Sequence, residues 1–201
     1  MLIGIGGKIG AGKDFTAKYL CENLTEYNFK TRSFAYKVKQ IAALLSGMSM
    51  DDALSHDGKN KMVEHFNMTL GRMQQVIGTD LFRDHFDVDT WVKALFADYR
   101  EGMDWIVTDV RFPNEAEQIR MMGGILIRLD GDPAGIREKS TRDMSHPSET
   151  SLDDYGHFTM IYKTTPDLFR NDTVLLPAVR AALHYRKLHG TAPMGTTEFY
   201  E

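Results

Sequence analysis

The sequence predicts an α/β fold built on a parallel sheet covered by helices. Three observations carry this: an apolar run that breaks into a glycine-rich loop and then a helical pattern, later strand-length apolar runs alternating with helical stretches, and no internal repeat or low-complexity tract. In chain order, Leu2, Ile3 and Ile5 make a short buried strand, and Phe15 to Leu24 carries apolar residues at helical spacing. Lys30 to Phe34 is a second strand candidate, followed by a mostly helical stretch from Val38 to Arg100. Trp105 to Val110 and Ile125 to Leu129 are strands that flank a helix from Pro113 to Met122. That helix has Pro in its first turn and Gly123 and Gly124 just past its end, the expected start and stop signals. Phe158 to Tyr162 and Asp167 to Arg170 compete for the final strand, and a last helix covers Leu176 to Leu188. The polar tail from Gly190 to Glu201 is expected to fray.

The loop Gly7-Lys8-Ile9-Gly10-Ala11-Gly12-Lys13 matches G-x-x-x-x-G-K, the P-loop, and it lies where such a loop belongs, between a buried strand and a helix. Glycines let backbone N–H groups converge on an anion, and the following helix offers unsatisfied amides and the positive end of its dipole. Gly7, Lys8, Gly10, Ala11, Gly12, Lys13, Asp14 and Phe15 are therefore the expected phosphate-binding segment, with Lys13 reaching the β/γ-phosphates. On this loop the alternation of elements becomes the three-layer sandwich of the P-loop NTPases. The position after the lysine, usually a Ser or Thr that ligates Mg²⁺, is Asp14. Asp14 either takes part in metal binding, directly or through water, or caps the helix. Thr16 cannot replace the missing hydroxyl, because two residues along a helix turn a side chain to nearly the opposite face.

At 201 residues, with 26% charged and 42% hydrophobic residues, the chain has the composition of one soluble globular domain with room for a lid. The net charge of −4 and a pI near 6.0 argue against a protein that coats nucleic acid. An anionic substrate must then be met by local Arg and Lys. The single Cys21 has no partner for an internal disulfide and reads as core. No stretch approaches 18 apolar residues and the first residues do not read as a signal peptide, so a cytoplasmic protein without a membrane partner is expected.

Three clusters carry candidate chemistry. Trp105-Ile-Val-Thr-Asp109-Val-Arg111 places an acid at the C-terminal end of an apolar strand, where α/β folds bind ligands. Asp109 is either a Walker-B acid that holds Mg²⁺ through its water shell or a strand-terminal cap, and Arg111 could clamp a phosphate with its planar fork. In GRMQQVIGTDLFR, Arg72 and Gln75 are i,i+3 neighbours, and Asp80 and Arg83 offer another such pair; a solvated helical face with a salt bridge is the plain alternative. Arg137, Lys139, Arg142, His146, Ser148 and Glu149 lie in a turn-rich stretch from Gly131 to Asp154, suited to a flap that brings arginines to a transferred phosphoryl group. With no nearby Cys or closely spaced second His, His146 is not a zinc ligand.

On these motifs the chain resembles the phage-type deoxynucleoside monophosphate kinases, within the P-loop nucleotide kinases, over most of residues 1 to 175. The resemblance rests on GKIGAGKDFT, SFAYKVKQIA, GRMQQVIGTDLFRDHF followed by Trp91, TDVRFPNEAEQI, the HPSE of residues 146 to 149, and Asn171-Asp172. TDVRFPNE and R-x-x-Q-x-x-G-T-D are the specific signatures; the P-loop is shared across the superfamily. Lys-Asp at positions 13 and 14 is familiar in this family and in the similar phosphomevalonate kinases. The resemblance implies one kinase domain with a helical acceptor-binding region over residues 38–100 and a lid over 131–154. It implies ATP as phosphoryl donor, Mg²⁺, and a deoxynucleoside monophosphate as acceptor. Phe34, Ala35 and Lys37 or Lys39 would border the acceptor, with Arg72, Gln75, Asp80, Arg83, Trp91 and Glu149 in the same group. Lys13, Asp109, Arg111 and the lid arginines Arg137 and Arg142 would serve catalysis, Asp14 and Asp109 the metal, and Asn171 the donor's adenine.

Two rivals remain. A kinase of another phosphorylated acceptor, such as dephospho-coenzyme A or phosphomevalonate, would share the loop and sheet, though TDVRFPNE tells against it. A nucleotide-binding switch without acceptor chemistry would not need an arginine-bearing lid. The bases accepted and the oligomeric state, a homodimer included, are not legible in the spacing.

Overall fold

The computed structural model describes residues 1–139, 144–165 and 172–199. The chain divides into two compact units, Met1–Arg32 with Arg100–Glu201, and Ser33–Tyr99. The first unit begins with β1 (Leu2–Gly6), the glycine loop, α1 (Lys13–Asn23) and β2 (Lys30–Arg32).

The second unit is the expected helical stretch. It contains α2 (Ala35–Ser46), α3 (Met50–Leu54), α4 (His56–Lys59), a two-residue antiparallel pair β3 (Met62–Val63) and β4 (Met68–Thr69), α5 (Leu70–Gln75), α6 (Phe82–His85) and α7 (Thr90–Phe96). A π-helical turn, Val76–Leu81, joins α5 to α6. Side chains set the helix starts: Ser49 accepts from Asp52 N–H, Ser55 from Gly58 N–H and Thr69 from Arg72 N–H, each covering an amide the helix leaves unpaired.

The chain then completes the first unit with β5 (Trp105–Val110), α8 (Pro113–Met121), β6 (Ile125–Asp130), α9 (Ile136–Lys139), α10 (Pro147–Thr150), β7 (Met160–Lys163), α11 (Leu175–His189) and β8 (Thr197–Phe199). The six strands form one sheet in the order β2-β5-β1-β6-β7-β8, every neighbouring pair parallel.

The layers follow from alternation along β1. Ile3 and Ile5 are fully buried in a cluster with Ala17, Leu20 and Leu24 of α1 and Leu175, Val179 and Leu183 of α11. A side chain built on Gly4 would instead meet Ile119 of α8, 2.7 Å away. Successive strand residues face opposite sides of a sheet, so α1 and α11 cover one face and α8 the other. Burying an isoleucine such as Ile3 or Ile5 contributes roughly 1.5–3 kcal/mol relative to leaving it in water. A charge at either position would break the layer.

The strand and helix expectations hold with small boundary shifts, and β2 is the short, exposed Lys30–Arg32. Phe158 to Tyr162 supplies the candidate that becomes β7, while residues 167–170 lie outside the described residues. The tail differs from expectation. Thr197–Phe199 pairs in register with Met160–Tyr162 as the outermost strand. An edge strand needs backbone pairing and one apolar anchor rather than an apolar run, and Phe199 packs against the core cluster while Thr197 and Glu198 stay exposed. Among the described residues no helix is long and apolar enough to cross a membrane.

Candidate active site

β1 lies between β5 and β6, and its C-terminal end opens into the glycine loop, the position at which open α/β sheets bind ligands. Gly7 has φ +143°, and a Cβ there would lie 2.5 Å from Leu129 O; Gly10 has φ +81°, and a Cβ would lie 2.2 Å from Asp132 Oδ1. The loop can follow this path only with glycine at both points. Gly12 precedes α1 in the left-handed conformation, and no side chain caps that helix. The first turn therefore offers backbone amides and the positive dipole end to an anion. Thr16 is fully buried and its hydroxyl donates to Gly12 O at 3.0 Å, as the helical geometry required.

Lys13 lies at the centre of the charges. Its Nζ donates to Gly7 O at 2.7 Å and Lys8 O at 2.8 Å. Burial, and then the nearby Arg111 guanidinium, lower its pKa from 10.5 to about 8, against an opposite pull from Glu149, Asp14 and Asp109. Asp109 is half-buried near the end of β5. Beyond it, the N–H groups of Arg111 and Phe112 donate to Glu115 Oε2 at 2.8 and 3.2 Å, so the start of α8 fixes the turn that carries Arg111.

Arg111 Nη1 donates to Ser148 O at 2.9 Å and to Glu149 Oε1. The Glu149 side chain is fully buried, and its Oε2 accepts from Ile9 N–H in the loop at 2.9 Å. Lys8 Nζ pairs with Asp153 Oδ2 at 2.8 Å, and Arg128 holds Asp153 and Leu152 O from the other side. Gly7, Lys8, Arg111, Arg128, Glu149 and Asp153 line one pocket. Arg137 Nε donates to Ile9 O at 2.8 Å and its Nη2 to Gly131 O, while Asp132 caps the start of α9 through Ile136 and Arg137 N–H. His146 caps α10, with Nδ1 accepting from Ser148 N–H at 3.2 Å. Cys21 is half-buried and burial raises its thiol pKa, the opposite of what an attacking thiolate requires.

Among the described residues no group of three or more His, Cys, Asp or Glu could cage a metal. The donor set still fits Mg²⁺. That ion usually takes one or two carboxylates together with waters and substrate phosphates, and Asp14 and Asp109 both act electrostatically on the same lysine.

The remaining candidates belong to the second unit. Phe34 is buried and meets Phe96 edge-on at 6.1 Å, and Lys37 Nζ bonds Ala94 O at 2.6 Å and pairs with Asp98 at 2.9 Å. Trp91 is buried, with Nε1 donating to Gly78 O at 2.7 Å and its ring 5.1 Å from Phe82. Arg72 is exposed, and Gln75 half-buried. Arg72 pairs at 3.4 Å with Asp80. The π turn between them brings together two residues eight apart in the chain. Arg83 Nη1 reaches Val88 O at 3.4 Å. Arg142 and Asn171 lie outside the described residues.

A family model for deoxynucleotide monophosphate kinases matches residues 47–155. A protein of Acanthamoeba polyphaga mimivirus named "Putative deoxynucleotide monophosphate kinase" is 32% identical over 167 residues, which are 76% of this chain and 82% of that protein. The chain belongs to the deoxynucleotide monophosphate kinase family. A second relative, the deoxynucleotide monophosphate kinase of Escherichia phage RB69, is 30% identical over 122 residues, 57% of this chain and 48% of that longer protein. Membership makes the chain a phosphotransferase with a nucleotide phosphate donor. The family match includes Arg72, Asp109, Arg111 and Glu149, while the P-loop of this kinase stands on its own geometry.

Sequence reasoning missed four residues that hold this candidate site together: Glu115, Arg128, Asp132 and Asp153. Glu115 had a signal, a Glu two residues after a Pro at a helix start. Arg128 had a weaker one, a charge inside the apolar strand ILIRLD. Asp132 and Asp153 had none, being acids in charged loops.

Proposed function

We propose that this kinase moves the γ-phosphate of ATP onto a deoxynucleoside monophosphate, giving ADP and a deoxynucleoside diphosphate. The observation that carries the reading is Lys13. A half-buried ammonium with its pKa pulled down to about 8, next to a second cation, Arg111, at the mouth of a loop only glycine can build, is an arrangement suited to receiving a polyphosphate. The backbone from Gly7 to Phe15 cradles the phosphates, and Lys13 turns from the loop carbonyls to their β/γ-oxygens. Bound Mg²⁺ supplies charge neutralisation between the β- and γ-phosphates, and Asp109 and Asp14 are the residues that would hold it.

An acceptor phosphate oxygen is already a nucleophile, so no strong general base is required. Catalysis is positioning and electrostatics. Arg111 meets the charge on the transferred group, and Arg137 and Arg142 belong to a lid that excludes water. Asn171 serves the donor's adenine. Phe34, Lys37, Arg72, Gln75, Asp80, Arg83 and Trp91 belong to the acceptor side, with Phe34 and Trp91 shaping it from the core of the second unit. The reading places the work in the cytoplasm, a host's if the chain is viral, with no nucleic-acid partner; a homodimer is compatible with it.

The test is coupled ADP release with Mg-ATP against dAMP, dGMP, dCMP, dTMP and their ribo forms. Acceptor-dependent turnover is expected. No turnover across the panel, with ATP still bound, overturns the reading in favour of another phosphorylated acceptor or a switch.

A further inference from the structure

Glu149 has features that an acceptor contact does not need. Its carboxylate is fully buried, and its two oxygens go to different partners: Oε1 to Arg111 Nη1 and Oε2 to the N–H of Ile9, in the middle of the P-loop. The neighbouring carbonyl, Ser148 O, accepts from the same Nη1 at 2.9 Å. Among the described residues the guanidinium of Arg111 is bonded through Nη1 alone, which leaves Nε–H and Nη2–H for another partner. Arg111 and Glu149 line the same pocket as Gly7 and Lys8. The segment carrying Glu149 is itself fastened, through Lys8–Asp153, Arg128–Asp153 and Arg128–Leu152 O.

We infer that Glu149 is a positioning residue, whose buried carboxylate fixes Arg111 to the P-loop so that the arginine's remaining N–H groups are aimed at the phosphoryl group in transfer. This rests on the phosphotransfer reading above. A guanidinium on a long flexible stem loses rotamer freedom when it must meet a developing charge, and a buried anchor on Nη1 removes part of that cost before substrate arrives. A carboxylate serves both partners at once, whereas an amide offers only one acceptor oxygen. The competing interpretation of the same contact is a plug, in which the carboxylate occupies a loop amide that phosphate must claim.

The test compares wild type, Glu149→Gln, Glu149→Asp, Arg111→Ala and Arg111→Ala/Glu149→Gln, with thermal unfolding confirming that each is folded. Steady-state turnover is one readout, and the Ile9 amide resonance, followed by NMR during titration with inorganic pyrophosphate, is the other. Positioning predicts that Glu149→Gln lowers kcat on the order of 10²-fold with KM for ATP within about threefold. It also predicts that Glu149→Asp keeps more activity than Glu149→Gln, and that the double variant is no slower than Arg111→Ala alone. The Ile9 amide should shift in Glu149→Gln and keep its Glu149-bonded position when pyrophosphate binds wild type. Overturning results are kcat unchanged in Glu149→Gln, effects of the two substitutions that multiply, or tighter nucleotide binding in Glu149→Gln with the Ile9 amide released by pyrophosphate, which is the plug. A wild type silent with every acceptor overturns the phosphotransfer reading itself, and this inference with it.

Discussion

The Lys13 ammonium donates to Gly7 O, 2.7 Å away, from a position six residues further along the same loop. With the second bond, to Lys8 O, the loop satisfies a half-buried cation with its own carbonyls while its glycines and the start of α1 offer amides to an anion. One short segment thus presents both polarities, and the lysine's charge is the variable between them.

Proton linkage follows from that arrangement. The folded pKa of about 8 lies below the ordinary 10.5, so the fold disfavours the charged lysine. This group's destabilising contribution is full below about pH 8, fades as pH rises from there, and is gone above 10.5. A bound polyphosphate favours the charged form and raises the pKa, so binding takes up a proton. Calorimetry of Mg-ATP binding in two buffers of different ionisation enthalpy should give uptake of about half a proton at pH 8, close to none at pH 6, and none in Lys13→Ala. Lys13→Ala should also lower turnover by about 10²–10³-fold. Buffer-independent heats at pH 8 would place the lysine away from the phosphates.

Gly7→Ala tests the loop path. With φ at +143° and Leu129 O 2.5 Å from the added methyl, the substitution should cost about 1–3 kcal/mol. For a chain of this size that is a fall of roughly 2–4 °C in Tm per kcal/mol. Gly156→Ala, where nothing lies within 4 Å of the new Cβ and φ is not positive, is the control and should leave Tm within about 1 °C. Equal effects at the two positions would mean that the loop relaxes freely.

Trp91→Phe separates core from contact in the second unit. Losing the Nε1 donor leaves Gly78 O in the π turn without that bond, at a cost of about 1–3 kcal/mol. The expected result is a lowered Tm, with acceptor KM changed less than threefold if the indole acts only through the turn. A large rise in acceptor KM with Tm unchanged would give Trp91 a direct hold on the nucleotide.

Much of the scaffold was legible because it obeys short-range rules. The apolar runs at Leu2–Ile5, Trp105–Val110 and Ile125–Leu129 became the central strands, and the glycine loop lies between strand and helix on a path that requires glycine at Gly7 and Gly10. The tail was misread because an edge strand needs little apolar character, and the π turn was not foreseen because it has no sequence signature that spacing rules detect.

The sequence by itself determined the parallel sheet, the P-loop and the identity of Lys13, Asp109 and Arg111 as its charged company, because each depends on neighbours within a few residues or on a repeated period. Only the tertiary structure decided that Glu149 is buried against Arg111 and Ile9, that Asp153 answers both Lys8 and Arg128, and that Arg137 bonds the P-loop carbonyl of Ile9. Those partners are far apart in the chain, Glu149 and Ile9 by 140 residues, and they meet only because strands remote in sequence lie side by side in one sheet. A charged residue in a polar loop looks the same in sequence whether it faces water or closes a buried network, and the packing of the sheet separates the two.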